Sequence, residues 1–291
     1  MTWTKSYRPG APRIMGVLNV TPDSFSDGGH HHRFEDAVRH GLAMVEQGAA
    51  ILDVGGESSR PGAEPVSDQQ EVDRVIPVIE KIAQEADVII SIDTCKTPVM
   101  REAVSAGATI VNDINALRSE GALELVAALD VSVCLMHMQG QPRHMQQSPS
   151  YSNVVGEVLD FLLERTGACL DAGITADKLI IDPGLGFGKT VDHNLSLLAN
   201  LRVFVDTGFE VLIGISRKQT IGTVLGRGVY ERLHGSLGLA VQAVLNGARI
   251  VRVHDVRPTA DALNMVDAVL QARELVARRA SPGAALTGGT R

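Results

Sequence analysis

The sequence predicts a (β/α)8 TIM barrel, a single domain in which an eight-stranded parallel sheet closes on itself. Three observations predict it. Eight short runs rich in β-branched residues alternate with eight longer amphipathic stretches along the 291 residues. Several stretches end in Gly and then Ala before a new apolar run, as in EQGAAILDV, SAGATIVND and LNGARIVRV, so the repeating unit is one β/α element. Each run also starts near-continuously apolar, as strands buried on both faces do. A doubly wound open sheet is the runner-up.

Residues 1–12 form a leader that mixes Lys5, Arg8 and Pro9 with few apolar side chains, unlike a signal peptide. The first strand is RIMGVLNV at 13–20, followed by a Gly-rich loop and a helix at 34–47. ILDVGG at 51–56 is the second strand, and a long loop leads to a helix at 68–86. VIISIDT at 88–94 and TIVNDIN at 109–115 precede helices at 98–106 and 122–129. SVCLMHM at 132–138 and KLIIDPG at 178–184 precede helices at 151–172 and 194–206. VLIGISR at 211–217 and IVRVHDV at 250–256 precede helices at 230–246 and 259–278. No linker or shift in composition divides the chain. One domain is therefore expected over 13–279, with the Gly/Thr-rich stretch 280–291 as a disordered tail.

Hydrophobic residues make up 44% and aromatics 3%, so the core must be aliphatic and Ala-rich, and disorder is excluded for most of the length. With 27 Lys+Arg against 34 Asp+Glu the net charge is −7. That acidic balance, without a Lys/Arg run or a basic patch interleaved with aromatics, argues against nucleic acid as a partner. No apolar run approaches the roughly 18 residues of a membrane span. Cys95, Cys134 and Cys169 are scattered, with neither CxxC nor Cys/His spacing. They argue against a disulfide frame or structural zinc and fit a reducing cytoplasm.

In a (β/α)8 barrel the active site lies at the C-terminal ends of the strands. Nearly every run here ends in polar residues: Asn19, Glu57–Ser58–Ser59–Arg60, Asp93, Asn112 with Asp113, His137, Asp182, Ser216–Arg217–Lys218, and Arg252 with His254. One such residue is usually a cap or a loop contact, but eight converging on one rim point to a site. Asp93, Asn112 and Asp182 fall inside runs that face the barrel, where an unpaired carboxylate costs several kcal/mol. Either a ligand or cation satisfies them, or an internal network with Lys218 does. The loops 21–33 and 58–66 are long for β/α connections, and Asp23, Ser24, Arg33 and Arg60 give them polar groups with which to close as lids. A connection without function is the alternative.

Two Gly-rich loops fail as nucleotide motifs. GFGKT at Gly186–Thr190 resembles the end of a Walker A loop, but Pro183 stands where that motif needs its first Gly. A dinucleotide fingerprint starting at Gly184 would need Gly where Lys189 stands. The tract His30–His31–His32 has no carboxylate companion at ligand spacing and reads as a solvated loop tip. His137 and His144 lack a zinc-binding helix motif, and neither is assigned a metal.

The motifs NVTPDSFSDGG (Asn19–Gly29), GGESSRPGA (Gly55–Ala63), SIDTCK (Ser91–Lys96), VNDI (Val111–Ile114), DPGLGFGK (Asp182–Lys189), GISRK (Gly214–Lys218) and VRVHDV (Val251–Val256) follow one another in this order. Together they resemble the dihydropteroate synthase family over about residues 13–270. The resemblance implies a transferase of folate biosynthesis on a (β/α)8 barrel. It would condense 6-hydroxymethyl-7,8-dihydropterin diphosphate with 4-aminobenzoate, releasing pyrophosphate, with Mg2+ as cofactor. It further implies sulfonamide inhibition, a homodimer and a cytoplasmic location.

Carried over residue by residue, the resemblance makes Asp93, Asn112, Asp182, Lys218, Arg252 and His254 the catalytic set. Asp182 would accept bidentately from the guanidine-like pterin edge, Asp93 and Asn112 would line the other polar edge, and Lys218 would reach the ring carbonyl and nitrogen. Met136, Phe187 and Gly214 complete the pterin site, the first two as apolar walls. Asn19, Ser59, Arg60, Arg252 and His254 would hold the diphosphate, Asn19 through the Mg2+ ion. Aminobenzoate would sit near Phe25, Pro61 and Phe187, with its carboxylate at Ser216, Lys218 and Gln219. One position departs: many relatives carry Ser where Gln219 stands. That leaves two holders for the carboxylate, a backbone N–H at the start of the next helix or the Gln219 amide. A corrinoid methyltransferase of the same pterin-binding superfamily, or a non-catalytic pterin-binding paralogue, is the alternative.

Overall fold

The computed structural model describes residues 11–21, 30–58 and 64–280. Eight strands close into an all-parallel barrel in chain order: β1 (Arg13–Asn19), β2 (Ile51–Gly55), β3 (Ile89–Asp93), β4 (Ile110–Asp113), β5 (Ser132–Met136), β6 (Leu179–Asp182), β7 (Glu210–Ile213) and β8 (Ile250–Val253). β8 pairs back onto β1, so no sheet edge is left open. The helices are α1 (His30–Glu46), α2 (Asp68–Glu85), α3 (Thr97–Ala106), α4 (Ala122–Leu129), α5 (Val154–Asp171), α6 (Val191–Ala199), α7 (Arg202–Val205), α8 (Gln219–Leu225), α9 (Leu233–Leu245) and α10 (Val256–Ala280). The open doubly wound sheet is thereby set aside. Among the described residues no helix is long and apolar enough to cross a membrane.

The two-residue period of a strand sorts each run into an outer and an inner face. Outward-facing Leu18, Leu52, Ile90 and Val111 pack with Val75, Ile79 and Ile82 of α2 and Val99 and Met100 of α3. Each such fully buried side chain contributes about 1.5–3 kcal/mol. The inner face carries a hydrocarbon layer with one residue from each strand: Met15, Ile51, Ile89, Ile110, Cys134, Ile180, Leu212 and Ile250. Beneath it, Arg13 and Glu210 form an ion pair that closes the floor. Two residues further along every strand, on the same face, come Val17, Asp53, Ser91, Asn112, Met136, Asp182, Gly214 and Arg252. The lumen thus changes from hydrocarbon to polar groups within one pleat.

Several local expectations are corrected. The tract at residues 30–32 is the first turn of α1, not a loop tip, because the helix starts four residues before the expected Phe34. The expected helix 194–206 breaks into α6 and α7 around Asn200, whose side chain turns back to donate to the Ser196 carbonyl. The two-turn α8 was not expected as a separate element. α2 begins where its signal stands: Ser67 Oγ accepts from the Gln70 N–H at 3.2 Å, and the Ser67 N–H donates to Gln70 Oε1 at 2.9 Å. That capping box fixes the point at which the loop after β2 re-enters the fold.

Candidate active site

The polar layer is built around one guanidinium. Arg252 on β8 donates through Nε to Asp53 Oδ2 at 2.5 Å and through Nη2 to Asp93 Oδ2 at 2.6 Å. Asn112 on β4 donates from Nδ2 to the same Asp53 oxygen at 3.0 Å. Four strands are tied together across the lumen by these bonds. Burial alone would weaken the charge on Arg252, but Asp53 and Asp93 hold it more firmly protonated than usual. Burial raises Asp93 to about 7, against the pull of Arg252 and with help from the Asp53 charge. Arg252 therefore has two carboxylate partners inside the barrel, besides the diphosphate that the resemblance assigns to it.

On the opposite wall, Asp182 ends β6 and accepts from the Gly184 N–H at 2.7 Å through Oδ1. The turn that follows passes so close to β5 that a Cβ at Gly184 would lie 1.8 Å from the His137 carbonyl oxygen, and one at Gly188 2.3 Å from that of Gln139. Both also have positive φ, +69° and +62°, so only glycine fits. Lys218 Nζ donates to the Leu185 carbonyl and sits 4.7 Å from the centre of the Phe187 ring. Burial lowers Lys218 to about 8, offset by the neighbouring Asp182, and burial raises Asp182. Lys218, Phe187 and Asp182 thus face one space.

Lys189, the last residue of the DPGLGFGK motif, is a buried pin for that turn. Its Nζ lies 2.9 Å from His137 Nδ1, 3.0 Å from the Phe187 carbonyl and 3.3 Å from the His137 carbonyl. Burial lowers Lys189 to about 7, and burial together with Lys189 lowers His137 to about 3, leaving the imidazole neutral. His137 is therefore an anchor of the turn.

The ISRK segment closes the third side. Arg217 has φ +58°, a conformation a side chain resists. The surroundings hold it there: its N–H donates to Ser236 Oγ at 3.0 Å, its carbonyl accepts from Arg232 at 3.0 Å, and its guanidinium pairs with Asp255. Ser216 Oγ accepts from the His254 N–H at 3.2 Å and lies 3.1 Å from His254 Nδ1. The Gln219 side chain is already engaged, its amide nitrogen 3.3 Å from Thr223 Oγ1 and its oxygen accepting from Arg232 at 3.3 Å. Gly214 lies between Arg252 and Lys218; a Cβ there would be 3.8 Å from Arg252 Cβ and 3.9 Å from Lys218 Nζ. Met136 is buried opposite Asp182 in register, and half-buried Asn19 ends β1.

Beside Asp93 a cavity of about 330 Å3 opens to the rim, lined by Glu57, Glu71, Thr94, Cys95 and Ile114 among others. Lys96 spans its edge, pairing with Glu57 at 2.5 Å and buried Glu71 at 2.8 Å and donating to the Val66 carbonyl at 2.7 Å. It ties together the two roots of the loop after β2. Phe25, Ser59, Arg60 and Pro61 lie outside the described residues.

A family model described as "pterin binding enzyme" matches residues 15–254. The dihydropteroate synthase of Escherichia coli K12 is 52% identical over 263 residues, 90% of this chain and 93% of that protein. The chain belongs to the dihydropteroate synthase family. Among solved structures, the Yersinia pestis dihydropteroate synthase in complex with a sulfonamide drug superposes with a TM-score of 0.87 at 46% identity, covering 91% of this chain and 96% of that one. The Xanthomonas albilineans dihydropteroate synthase with 4-aminobenzoic acid gives 0.85 at 50% identity, covering 89% and 93%. These similarities favour a dihydropteroate synthase over the corrinoid methyltransferase alternative.

Asp53 and Lys189 are the residues that sequence reasoning left out of the site. Counting by twos from Ile51 in ILDVGG would have put Asp53 on the lumen face. Asp93 yields a pH test. Its folded value of about 7 lies above the ordinary 3.8, so it stabilises the fold below that ordinary value, and the contribution is lost as pH rises through about 7. Urea titrations of Asp93→Asn against wild type, from about pH 4 to about pH 7, should show the variant gaining relative stability as pH rises. A difference that stays constant would mean that Asp93 is ionised throughout.

Proposed function

We propose that this chain condenses 6-hydroxymethyl-7,8-dihydropterin diphosphate with 4-aminobenzoate to 7,8-dihydropteroate and pyrophosphate. The 52% identity to a dihydropteroate synthase across 90% of the chain carries the reading. The donor-rich pterin edge finds its acceptors in Asp182, Asp93 and Asn112, and Lys218 donates to the ring carbonyl and nitrogen. Met136 and Phe187 shield the ring, and Gly214 leaves room beneath it. Asn19, Arg252 and His254, with Ser59 and Arg60 of the rim loop, bind the diphosphate. The C–O bond breaks with its electron pair leaving on pyrophosphate, the aniline nitrogen bonds to the ring-attached methylene carbon, and its proton passes to solvent. Charge stabilisation and orientation account for such a step without a strong base.

Mg2+ fits this chain as a cofactor that arrives with its substrate. Mg2+ is commonly held by one or two protein oxygens plus substrate phosphates, and among the described residues no cluster of His, Cys, Asp or Glu could hold an ion alone. Asn19 would supply its amide oxygen, and the ion, once bound, would neutralise charge on the departing diphosphate. A homodimer and a cytoplasmic location belong to the same reading. Its direct test is incubation of the pure protein with the pterin diphosphate, aminobenzoate and Mg2+. A product with the mass of dihydropteroate is expected, and none in folded protein rejects the assignment.

Asp182→Ala should leave the fold intact and cost pterin binding at least about 2 kcal/mol, because two ligand donors then meet no acceptor in a dry pocket. Calorimetry with a pterin analogue measures it, and undiminished affinity would remove Asp182 from the site. For aminobenzoate, the engaged Gln219 side chain favours the backbone as carboxylate holder. Gln219→Ala should therefore change the aminobenzoate KM only a few-fold, about 1 kcal/mol or less. A rise of roughly tenfold in steady-state kinetics would return the contact to the side chain.

A further inference from the structure

We propose that Asp53 is the positioning residue of the pterin end of the site, setting the orientation of both Asn112 and Arg252 through a single carboxylate oxygen. The inference rests on the pterin reading given above. Asp53 is fully buried in mid-β2, between Val17 and Ser91 in register. Its Oδ2 accepts from Asn112 and Arg252, while its Oδ1 is buried with no hydrogen-bond partner among the described residues.

That pattern differs from a carboxylate that serves the backbone. Asp113, one residue past Asn112, accepts from the Asn115 N–H at 2.7 Å and the Leu117 N–H at 2.8 Å. It thereby holds a turn in which Ala116 and Leu117 both have positive φ. Asp53 has no such backbone bond. Its hydrogen bonding goes to two side chains of the site, and a buried oxygen is left over, which a purely structural residue would have no reason to tolerate.

Two consequences follow for the ligand. With its Nδ2 committed to Asp53, the Asn112 amide cannot flip without setting its own oxygen against the carboxylate, so Oδ1 stays available as an acceptor. Arg252 meanwhile is anchored at two points, Asp53 and Asp93, and cannot swing across the lumen to pair with Asp182. Asp182 is thereby kept for the ligand. Asp53 acts through these neighbours and touches no substrate itself.

The test is the steady-state kinetics of Asp53→Asn, which keeps the volume and removes the charge. The KM for pterin diphosphate should rise at least about tenfold, while that for aminobenzoate stays within about twofold. A loss of packing alone would move both constants or neither. In an Asn112→Ala background the Asp53→Asn effect on the pterin KM should shrink, because part of its route is gone. An unchanged pterin KM in the folded variant, an equal rise for both substrates, or an effect undiminished beside Asn112→Ala would each overturn the assignment. Should Asp53→Asn not fold, Asp53→Ser, a short uncharged acceptor, takes its place with the same outcomes. Wild-type protein run in parallel separates the two readings: no dihydropteroate from wild type rejects the function, whereas normal wild-type turnover with a wild-type-like variant rejects only the role of Asp53.

Discussion

The polar lumen depends on one guanidinium shared between two carboxylates. An ionised Asp deep in a barrel costs several kcal/mol unless it is paired and hydrogen-bonded. Asp53 and Asp93, on neighbouring strands, are met by Arg252 reaching in from β8. Because the three groups sit on strands that the closed sheet holds in fixed register, the pairing is rigid, and Asn112 is recruited into it. Losing either carboxylate would leave Arg252 with one anchor, whereas losing Arg252 would leave two carboxylates facing each other in hydrocarbon surroundings. The hydrocarbon layer one pleat below keeps water from relieving that charge from the floor.

Around this centre, precision comes from backbone that has little freedom to move. The β6 exit threads past β5 at distances only glycine allows, and Lys189 pins the same turn from inside. The β7 exit holds Arg217 at positive φ through bonds from Ser236, Arg232 and Asp255. Strained residues persist only where their surroundings over-determine them. Both turns deliver a side chain to the same space, Phe187 from one and Lys218 from the other, 4.7 Å apart. Orientation is thus supplied by the folded chain before any ligand enters.

Much of this was legible in the sequence, and the misses have physical causes. The strands were readable because each is apolar on both faces, and Asp93, Asn112 and Asp182 because a polar residue in such a run has to be explained. Asp53 interrupts its run in the same way, but it precedes Val and two glycines, and the denser polar cluster beginning at Glu57 is the stronger signal of that segment. Lys189 stands in a Gly-rich loop that resembles a phosphate-binding one, and nothing in one dimension indicates that it folds back under Phe187. The break between α6 and α7 falls at Asn200, whose backbone N–H and side-chain amide both donate to the Ser196 carbonyl, a local detail that apolar periodicity does not register.

On the proposed reading, charge also dictates which end of the substrate goes in first. The lumen carries Asp53, Asp93 and Asp182 against Arg252 and Lys218, three carboxylates to two cations, and Asp93 titrates near 7. Such a layer suits an uncharged heterocycle rich in N–H donors and repels a diphosphate. The phosphates are therefore directed outward, past the outer side of the Arg252 guanidinium, to Asn19, His254 and the rim loops, where solvent and a metal ion can share their charge. Departure of pyrophosphate then proceeds toward the open mouth, and the second substrate must approach from the same side, over the ISRK turn. The hydrocarbon layer closes the other end of the barrel, so ring recognition and leaving-group exit fall on opposite sides of the reacting carbon. That separation follows from the strand period that built the two layers.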